Sequence, residues 1–524
     1  MRERSTALSA DRYHAVMGNA LLKMDPLEKG KAMGDFQATF YVTQRKLPYT
    51  LAVGHERLVN LLNRSRADEP RARFLAEDRA DLRLIAERLK RSRFPGRVAT
   101  VPEGTIIFAG QPIALVSGPF AMAQMFEVSF EHAFDRPMTL TYLAMMLKRI
   151  VGQDIWASDF SLRRAGDPDV SVEDSKYLYI GGLDDTSNLE AAFLYGIPSV
   201  GTMAHYLVQA FMALVSFVER EGYIIPGFWY DETGGLKHGQ RLCFESWLDA
   251  HPKGTTCLVD AIDLKLGMIH VIEAALSSTA RRRAFKAVRI DSGDLVKSSV
   301  FTRRMLDANG LYEVKIVLTG DLNHKKVAEI ERRLKDYCPE SKIEIKNRKD
   351  FEEDLEVLHL ALKSFGIMGV AGGTKMVAEI EKVAGVIFKM IEFCDEPTLK
   401  LSGTPGKENL PGSLQLWRCQ DRQGRYILDI TARATESSPQ GGEIYKATPL
   451  IQPFWEQGMY PELKTPKELK DWAIEQQKRF IVPLEEYAET RVCLSEELIR
   501  LKDKLQEDYV QTPPTSVKVV EWPE

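Results

Sequence analysis

GGLDDTSNLEAAFLYGIPSVGTMAH, running from Gly181 to His205, is the stretch whose reading decides the fold. Its glycines and small polar residues interrupt an otherwise globular pattern. They set His205 just after an apolar, strand-like run, Ile197-Pro198-Ser199-Val200. Three further stretches answer it: Asp159-Phe160-Ser161-Leu162-Arg163-Arg164, Arg289-Ile290-Asp291-Ser292-Gly293-Asp294, and Gly369-Val370-Ala371-Gly372-Gly373-Thr374. Each can end a strand and begin a loop. Arginines, carboxylates and bare backbone amides gathered around one histidine point to a pocket for a phosphorylated ligand.

Outward from that stretch, Val151 to about Ile391 alternates short apolar strands with helices. The pattern predicts strands at Ile197–Val200, Thr256–Val259, Ala287–Ile290, Val314–Leu318 and Phe365–Val370. Helices are expected after His205 and at Gly267–Leu276, Ser298–Ala308, Lys325–Asp336 and Thr374–Val383. Repeated β-then-α units imply an α/β fold with a parallel sheet, most simply curled into a barrel, whose chemistry sits where strands end. His205, Asp260, Asp291, Gly320-Asp321 and Gly372-Gly373 all fall there. The segment 1–150 reads as an N-terminal α+β domain, with a β patch from Pro95 to Gly118 and a helix from Phe120 to about Ile150 broken near Arg136-Pro137. The segment 392–524 reads as a β-rich return followed by a helical tail from Pro466 to Asp508.

At 524 residues, 44% hydrophobic and 27% charged, the chain can bury a large core and divide into domains. A net charge of −4 gives no electrostatic reason to expect nucleic acid or an anionic membrane as partner. No apolar run approaches the roughly 20 residues of a membrane-spanning helix. The opening MRERSTALSADRYH lacks the apolar centre of a secretory signal. Six scattered cysteines with no C-x-x-C pair suit reduced thiols in a cytoplasmic enzyme.

Each candidate residue carries a plainer alternative. Asp291 and Asp294, around a Ser-Gly turn, can grip ribose hydroxyls or Mg²⁺, and equally can cap a helix or close an Asx-turn. Gly372-Gly373-Thr374 opens a helix where backbone N–H groups reach a phosphate, or is an ordinary glycine turn with a Thr cap. No G-x-x-x-x-G-K-[ST] occurs, so ATP, if used, is not held by that loop. Of the adjacent Arg163 and Arg164, one can fork onto pyrophosphate or a carboxylate while the other pairs structurally. His205 has no second His or Cys at metal-ligand spacing, which favours a nucleophilic or acid–base role over zinc. Tyr13 reads as an N-terminal packing residue.

Taken as an ordered set, these stretches resemble the nicotinate phosphoribosyltransferase family from about Leu8 to about Asp429. The resemblance is carried by Asp11-x-Tyr13-x-x-x-Met17, Arg45-Lys46-Leu47-Pro48-Tyr49, Pro102-Glu103-Gly104, Asp159 to Ala165 (DFSLRRA), Thr186-Ser187-Asn188 and Gly201 to His205 (GTMAH). It continues with Leu258-Val259-Asp260-x-x-Asp263, Arg289 to Leu295 (RIDSGDL), Lys400-x-Ser402 and Pro411-Gly412. It implies an irregular α/β barrel of the type II phosphoribosyltransferase kind with a second, discontinuous α+β domain, and a homodimer with shared active sites. It implies as reaction the joining of nicotinate to 5-phosphoribosyl-1-pyrophosphate, giving nicotinate mononucleotide and pyrophosphate, with ATP as co-substrate and Mg²⁺ as cofactor. This is a salvage step towards NAD.

By the same resemblance His205 is the histidine phosphorylated by ATP, and Arg163 and Arg289 contact the substrate carboxylate and the phosphoribosyl donor. Asp291 is the ribose ligand. Phe160, Arg164, Thr186 and Asp294 belong to the substrate pocket. Gly320, Asp321, Gly372, Gly373 and Thr374 cradle the 5′-phosphate, and Tyr13 stacks on nicotinate from the partner subunit. The chain departs from the family pattern at Tyr206, Asp185, Ala261-Ile262 and the stretch from Gly366 to Thr374. A transferase for another pyridine base and a non-catalytic nucleotide-binding relative are the alternative functions.

Overall fold

The computed structural model describes residues 5–78, 81–231, 233–337, 361–372, 374–378, 380, 382–402 and 408–510. The chain divides into two compact units, Leu140–Glu381 and a discontinuous one made of Met1–Thr139 with Lys382–Glu524.

The continuous unit is built on six parallel strands. We number them in chain order: β1 (Trp156–Asp159), β2 (Asp185–Thr186), β3 (Thr255–Leu258), β4 (Phe285–Ile290), β5 (Lys315–Leu322) and β6 (Ile367–Gly372). Their order across the sheet is β2-β1-β6-β5-β4-β3, so the last strand pairs with the first, as a curled sheet requires. Gly372 lies level with Asp159, and Leu318 with Ile290. The apolar runs of β3, β4 and β5 are buried between helices and sheet, which is why they read as continuous hydrophobic segments. Helices Leu264–Leu276, Leu295–Ala308 and His324–Lys335 follow their strands and start on Asp263, Asp294 and Asn323, whose side chains accept from first-turn N–H groups.

Three expected elements differ, one of them the helix expected to break near Arg136-Pro137, which runs unbroken from Glu127 to Val151. Ile197–Val200 is not a strand: Ser199 makes a single bridge to Thr186. Pro198, with no N–H, cannot carry a ladder through the middle of that segment. The helix expected over Thr374–Val383 spans only Thr374–Val377.

The discontinuous unit carries a six-stranded antiparallel sheet in which the first return strand, Val386–Phe393, pairs with Gln37–Gln44. A second return strand, Gln452–Glu456, pairs with Arg97–Thr100. A smaller sheet holds Leu414–Gln420 against Tyr426–Arg433, with the buried pair Arg418–Asp429 at 2.7 Å between them. The helix Glu127–Val151 runs unbroken through Pro137. The carbonyl four residues earlier, on Ala133, loses its partner to the proline ring. A side chain at Gly54 would lie 2.0 Å from that carbonyl, so the close approach needs glycine. The tail forms three helices, Pro466–Gln477, Leu484–Thr490 and Glu496–Val510.

Candidate active site

The strand ends of β3, β4 and β5 converge on His205, the first residue of the helix His205–Glu221. Its Nε2 lies 3.7 Å from Asp260 Oδ1 and 4.0 Å from Asp291 Oδ2, just outside hydrogen-bond length. The imidazole side chain is 40% exposed and the Asp260 side chain only 4%, so the ring faces solvent with carboxylates behind it. Asp260 is tied from one side. Its Oδ2 accepts the Asp291 N–H at 2.8 Å and the Ser292 hydroxyl at 2.7 Å. Its Oδ1, buried and nearest the imidazole, accepts no hydrogen bond. An unsatisfied buried carboxylate oxygen is costly, and this one lies beside His205.

Asp291 is held differently. Its Oδ1 accepts from Arg289 Nη2 at 2.7 Å and from the Thr319 hydroxyl. Burial pushes this carboxyl up, but the Thr319 hydroxyl and the Arg289 guanidinium, with His205 beyond, outweigh it and hold it below the usual carboxylate range. Arg289 also donates to Thr319 Oγ1 at 2.9 Å and Thr202 Oγ1 at 3.1 Å, and its guanidinium carbon stands 5.6 Å from the Phe160 ring centroid. The fork is therefore fixed and presents its flat face to an aromatic ring.

Gly320 takes a positive φ of 98°, and a side chain there would fall 2.2 Å from the Asp291 carbonyl oxygen. Any other residue would break the packing of β5 against the Asp291 loop. Lys326, in the first turn of the following helix, donates to the Gly320 carbonyl at 3.2 Å.

No protein-family model matches the chain. The nicotinate phosphoribosyltransferase pncB2 of Mycobacterium tuberculosis is 31% identical over 425 residues, which cover 79% of this chain and 81% of that protein. The chain belongs to the nicotinate phosphoribosyltransferase family. The nicotinate phosphoribosyltransferase of Bos taurus is 26% identical over 541 residues, covering 95% of this chain and 92% of its own. The crystal structure of human nicotinic acid phosphoribosyltransferase shares the fold, with a TM-score of 0.69 at 22% identity, covering 94% of this chain and 99% of that one. The irregular α/β barrel with a discontinuous second domain is thus the architecture of this nicotinate phosphoribosyltransferase family member.

The expected residues fall into three groups. His205, Asp291, Arg289 and Phe160 are brought together, and the Gly320 backbone packs directly on the Asp291 loop. Phe160 also donates its N–H to the Gly372 carbonyl at 2.8 Å, placing β6 beside it. Arg163 and Arg164 lie in the short helical turn Leu162–Arg164, exposed and with no side-chain hydrogen bond or ion pair among the described residues. Asp321 is exposed, with a positive φ of 52°.

Thr186 and Asp294 are engaged elsewhere. The Thr186 hydroxyl is buried and donates to Asp159 Oδ2 at 2.8 Å. Asp294 caps the helix Leu295–Ala308 through Oδ1 and pairs with Arg333 at 2.7 Å through Oδ2, so the capping alternative is the one seen. Tyr13 belongs to the discontinuous unit, where its exposed ring lies tilted by 30° against His14, centroids 3.9 Å apart, and its hydroxyl donates to Glu127 at 3.0 Å. Gly373 lies outside the described residues, and Thr374 begins the four-residue helix.

Thr202, Thr319 and Lys326 were not singled out from sequence. Thr319 had a usable signal: it stands two residues past Val317, which pairs with Arg289, and so shares that face of the sheet.

Proposed function

We propose that this barrel mouth transfers the 5-phosphoribosyl group to nicotinate and couples the transfer to ATP through a phosphorylated His205. The observation that carries the reading is the imidazole, exposed on one side and backed by two carboxylates on the other. A His205 ring nitrogen attacks the γ-phosphorus of ATP; the P–N bond forms and the P–O bond to ADP breaks. Water later cleaves the P–N bond, releasing phosphate. In the transfer itself the nicotinate nitrogen attacks C1′ of the donor, and the electron pair of the broken C–O bond leaves with pyrophosphate. Asp260 and Asp291 orient the ring during these steps.

Mg²⁺ fits this donor set. The unpartnered Asp260 Oδ1 and the neighbouring Asp291 Oδ2 are hard anionic oxygens, which suit a cation that draws its other ligands from phosphate and water. Bound there, Mg²⁺ would neutralise phosphate charge. The unpaired Arg163 and Arg164 supply forks for the nicotinate carboxylate and the pyrophosphate. The backbone of Gly320, Asp321, Gly372, Gly373 and Thr374 is assigned to the 5′-phosphate in the same reading.

A homodimer with Tyr13 supplied by the partner belongs to the proposal. Its support is the set of exposed apolar side chains on the continuous unit, Leu189, Phe193 (82% exposed), Phe217, Tyr223 and Ile224 among them. A cytoplasmic setting is supported by the five described cysteines, all unpaired. Among the described residues no helix is long and apolar enough to cross a membrane.

The test supplies nicotinate, nicotinamide or quinolinate with the donor, with and without ATP, and measures mononucleotide. Product from nicotinate alone, increased by ATP, is expected. Product from another base would reassign the substrate, and no product with ligand binding retained would leave a non-catalytic nucleotide binder.

A further inference from the structure

Arg289 reaches the surroundings of His205 at two points. Its Nη2 donates to Asp291 Oδ1 at 2.7 Å, and the other oxygen of that carboxylate stands 4.0 Å from the imidazole. Its Nη1 donates to Thr202 Oγ1 at 3.1 Å, and Thr202 precedes His205 by three residues. The Thr202 hydroxyl donates in turn to the Met203 carbonyl at 3.3 Å, which leaves its lone pairs for the guanidinium. Among the described residues, no other hydrogen bond joins residues 201–204 to a strand of the barrel sheet. Met203 is buried, so apolar packing seats this loop and Thr202 supplies its polar tie. Three residues span at most about 11 Å, a short lead through which a shift at Thr202 reaches the start of the His205 helix.

The same guanidinium is placed to meet a ligand. Three of its five N–H groups are spent, on Thr319, Thr202 and Asp291, and two remain without a partner among the described residues. The side chain is 12% exposed, so the mouth does not seal it. Nicotinate and a phosphoribosyl donor are both anions, and a guanidinium with spare donors binds carboxylate or phosphate. One cation therefore faces the substrates on one side and the loop that carries the histidine on the other.

We propose that Thr202 couples the two halves of the reaction, its hydroxyl tying the position of His205 to the occupancy of Arg289 by an anionic substrate. This coupling rests on the ATP-supported transfer proposed above and adds a positioning residue to it. An anion that draws on the spare N–H groups competes with the protein acceptors for the guanidinium. The bond to Thr202 is the longest of the three and ends on a neutral oxygen, so it yields first. The loop then shifts with the substrate bound, and phosphorylation of His205 follows substrate occupancy. Thr202 acts through Arg289 and takes no part in bond making.

The test measures phosphate and mononucleotide together in the full-length parent, Thr202→Val and Thr202→Ser. Pyrophosphate is left uncleaved, so each phosphate counts one hydrolysed ATP. In the parent, ATP hydrolysis should rise when nicotinate and donor are added. Thr202→Val keeps the shape and removes the acceptor. Its stimulation by substrates should fall by about fivefold, the lower end of coupling between sites, with phosphate released per mononucleotide raised by a similar factor. Thr202→Ser, which keeps the hydroxyl, should hold the parent's ratio. Thr202→Ala repeats the deletion with a smaller side chain, and thermal unfolding of each variant reports its folding. A slower Thr202→Val with the parent's stimulation and ratio would make Thr202 structural and overturn the proposal, as would a raised ratio in Thr202→Ser. A parent that forms mononucleotide while releasing no phosphate would instead overturn the ATP-coupled reading, and the coupling with it.

Discussion

The strand ends around Asp159 and those around Asp260 and Asp291 use the same residue types within one curled sheet. At Asp159 every donor closes inward: Ser161 N–H and hydroxyl on Oδ1, Ser175 and Thr186 hydroxyls on Oδ2, at 2.5 to 2.9 Å. At Asp260 two donors meet one oxygen, and the other faces an imidazole across 3.7 Å. A closed network fixes a loop, whereas an open one keeps a polar atom ready for a ligand or a reacting group. In the proposed reaction, therefore, the first half of the barrel mouth serves as scaffold at its aspartate and the second half as machinery.

The largest break in that contrast is His205→Ala. It should abolish ATP hydrolysis coupled to turnover while leaving slow ATP-independent transfer, read by following phosphate and mononucleotide together. An unaltered ATP requirement would remove His205 from the machinery. Next, Asp159→Ala strands four buried donors and should cost about 3 kcal/mol of stability by denaturant unfolding. A loss of activity with stability unchanged would move Asp159 to the chemical side.

Asp260→Asn keeps an acceptor for the Asp291 N–H but removes the charge behind the imidazole. About a tenfold lower ATP-coupled rate is expected, with stability nearly unchanged, since tenfold corresponds to about 1.4 kcal/mol. The smallest effect concerns a carboxylate of the discontinuous unit. Burial, and then the neighbouring Glu127, push the Glu131 carboxyl up to about 7. Its folded-state value exceeds the unfolded one, so the folded state holds the extra proton between them and stability falls as pH rises from about 4.5 to about 7. Glu131→Gln should therefore stabilise the protein at pH 8 by on the order of 1 kcal/mol, with the gain fading toward pH 5. A gain that is equal at both pH values would remove that carboxylate from the comparison.

Much of the barrel was legible because β3, β4 and β5 are buried on both faces, which leaves short apolar runs bounded by polar loops. The pairing of Trp156–Asp159 with Ile367–Gly372 was not legible from local pattern, since it joins segments about two hundred residues apart. Pro198 hid the failure of Ile197–Val200 as a strand behind an apolar composition. At the site, His205 and Asp291 stood out as single polar residues at strand ends. Asp294 was ambiguous because a carboxylate at a helix start caps and binds with the same oxygens.

The most direct measurement is chemical. Protein incubated with γ-labelled ATP should acquire one acid-labile, alkali-stable phosphoryl group, located by peptide analysis on His205 and lost in His205→Ala. ATP-supported formation of nicotinate mononucleotide with no label on His205, or with label on another residue, would contradict the account.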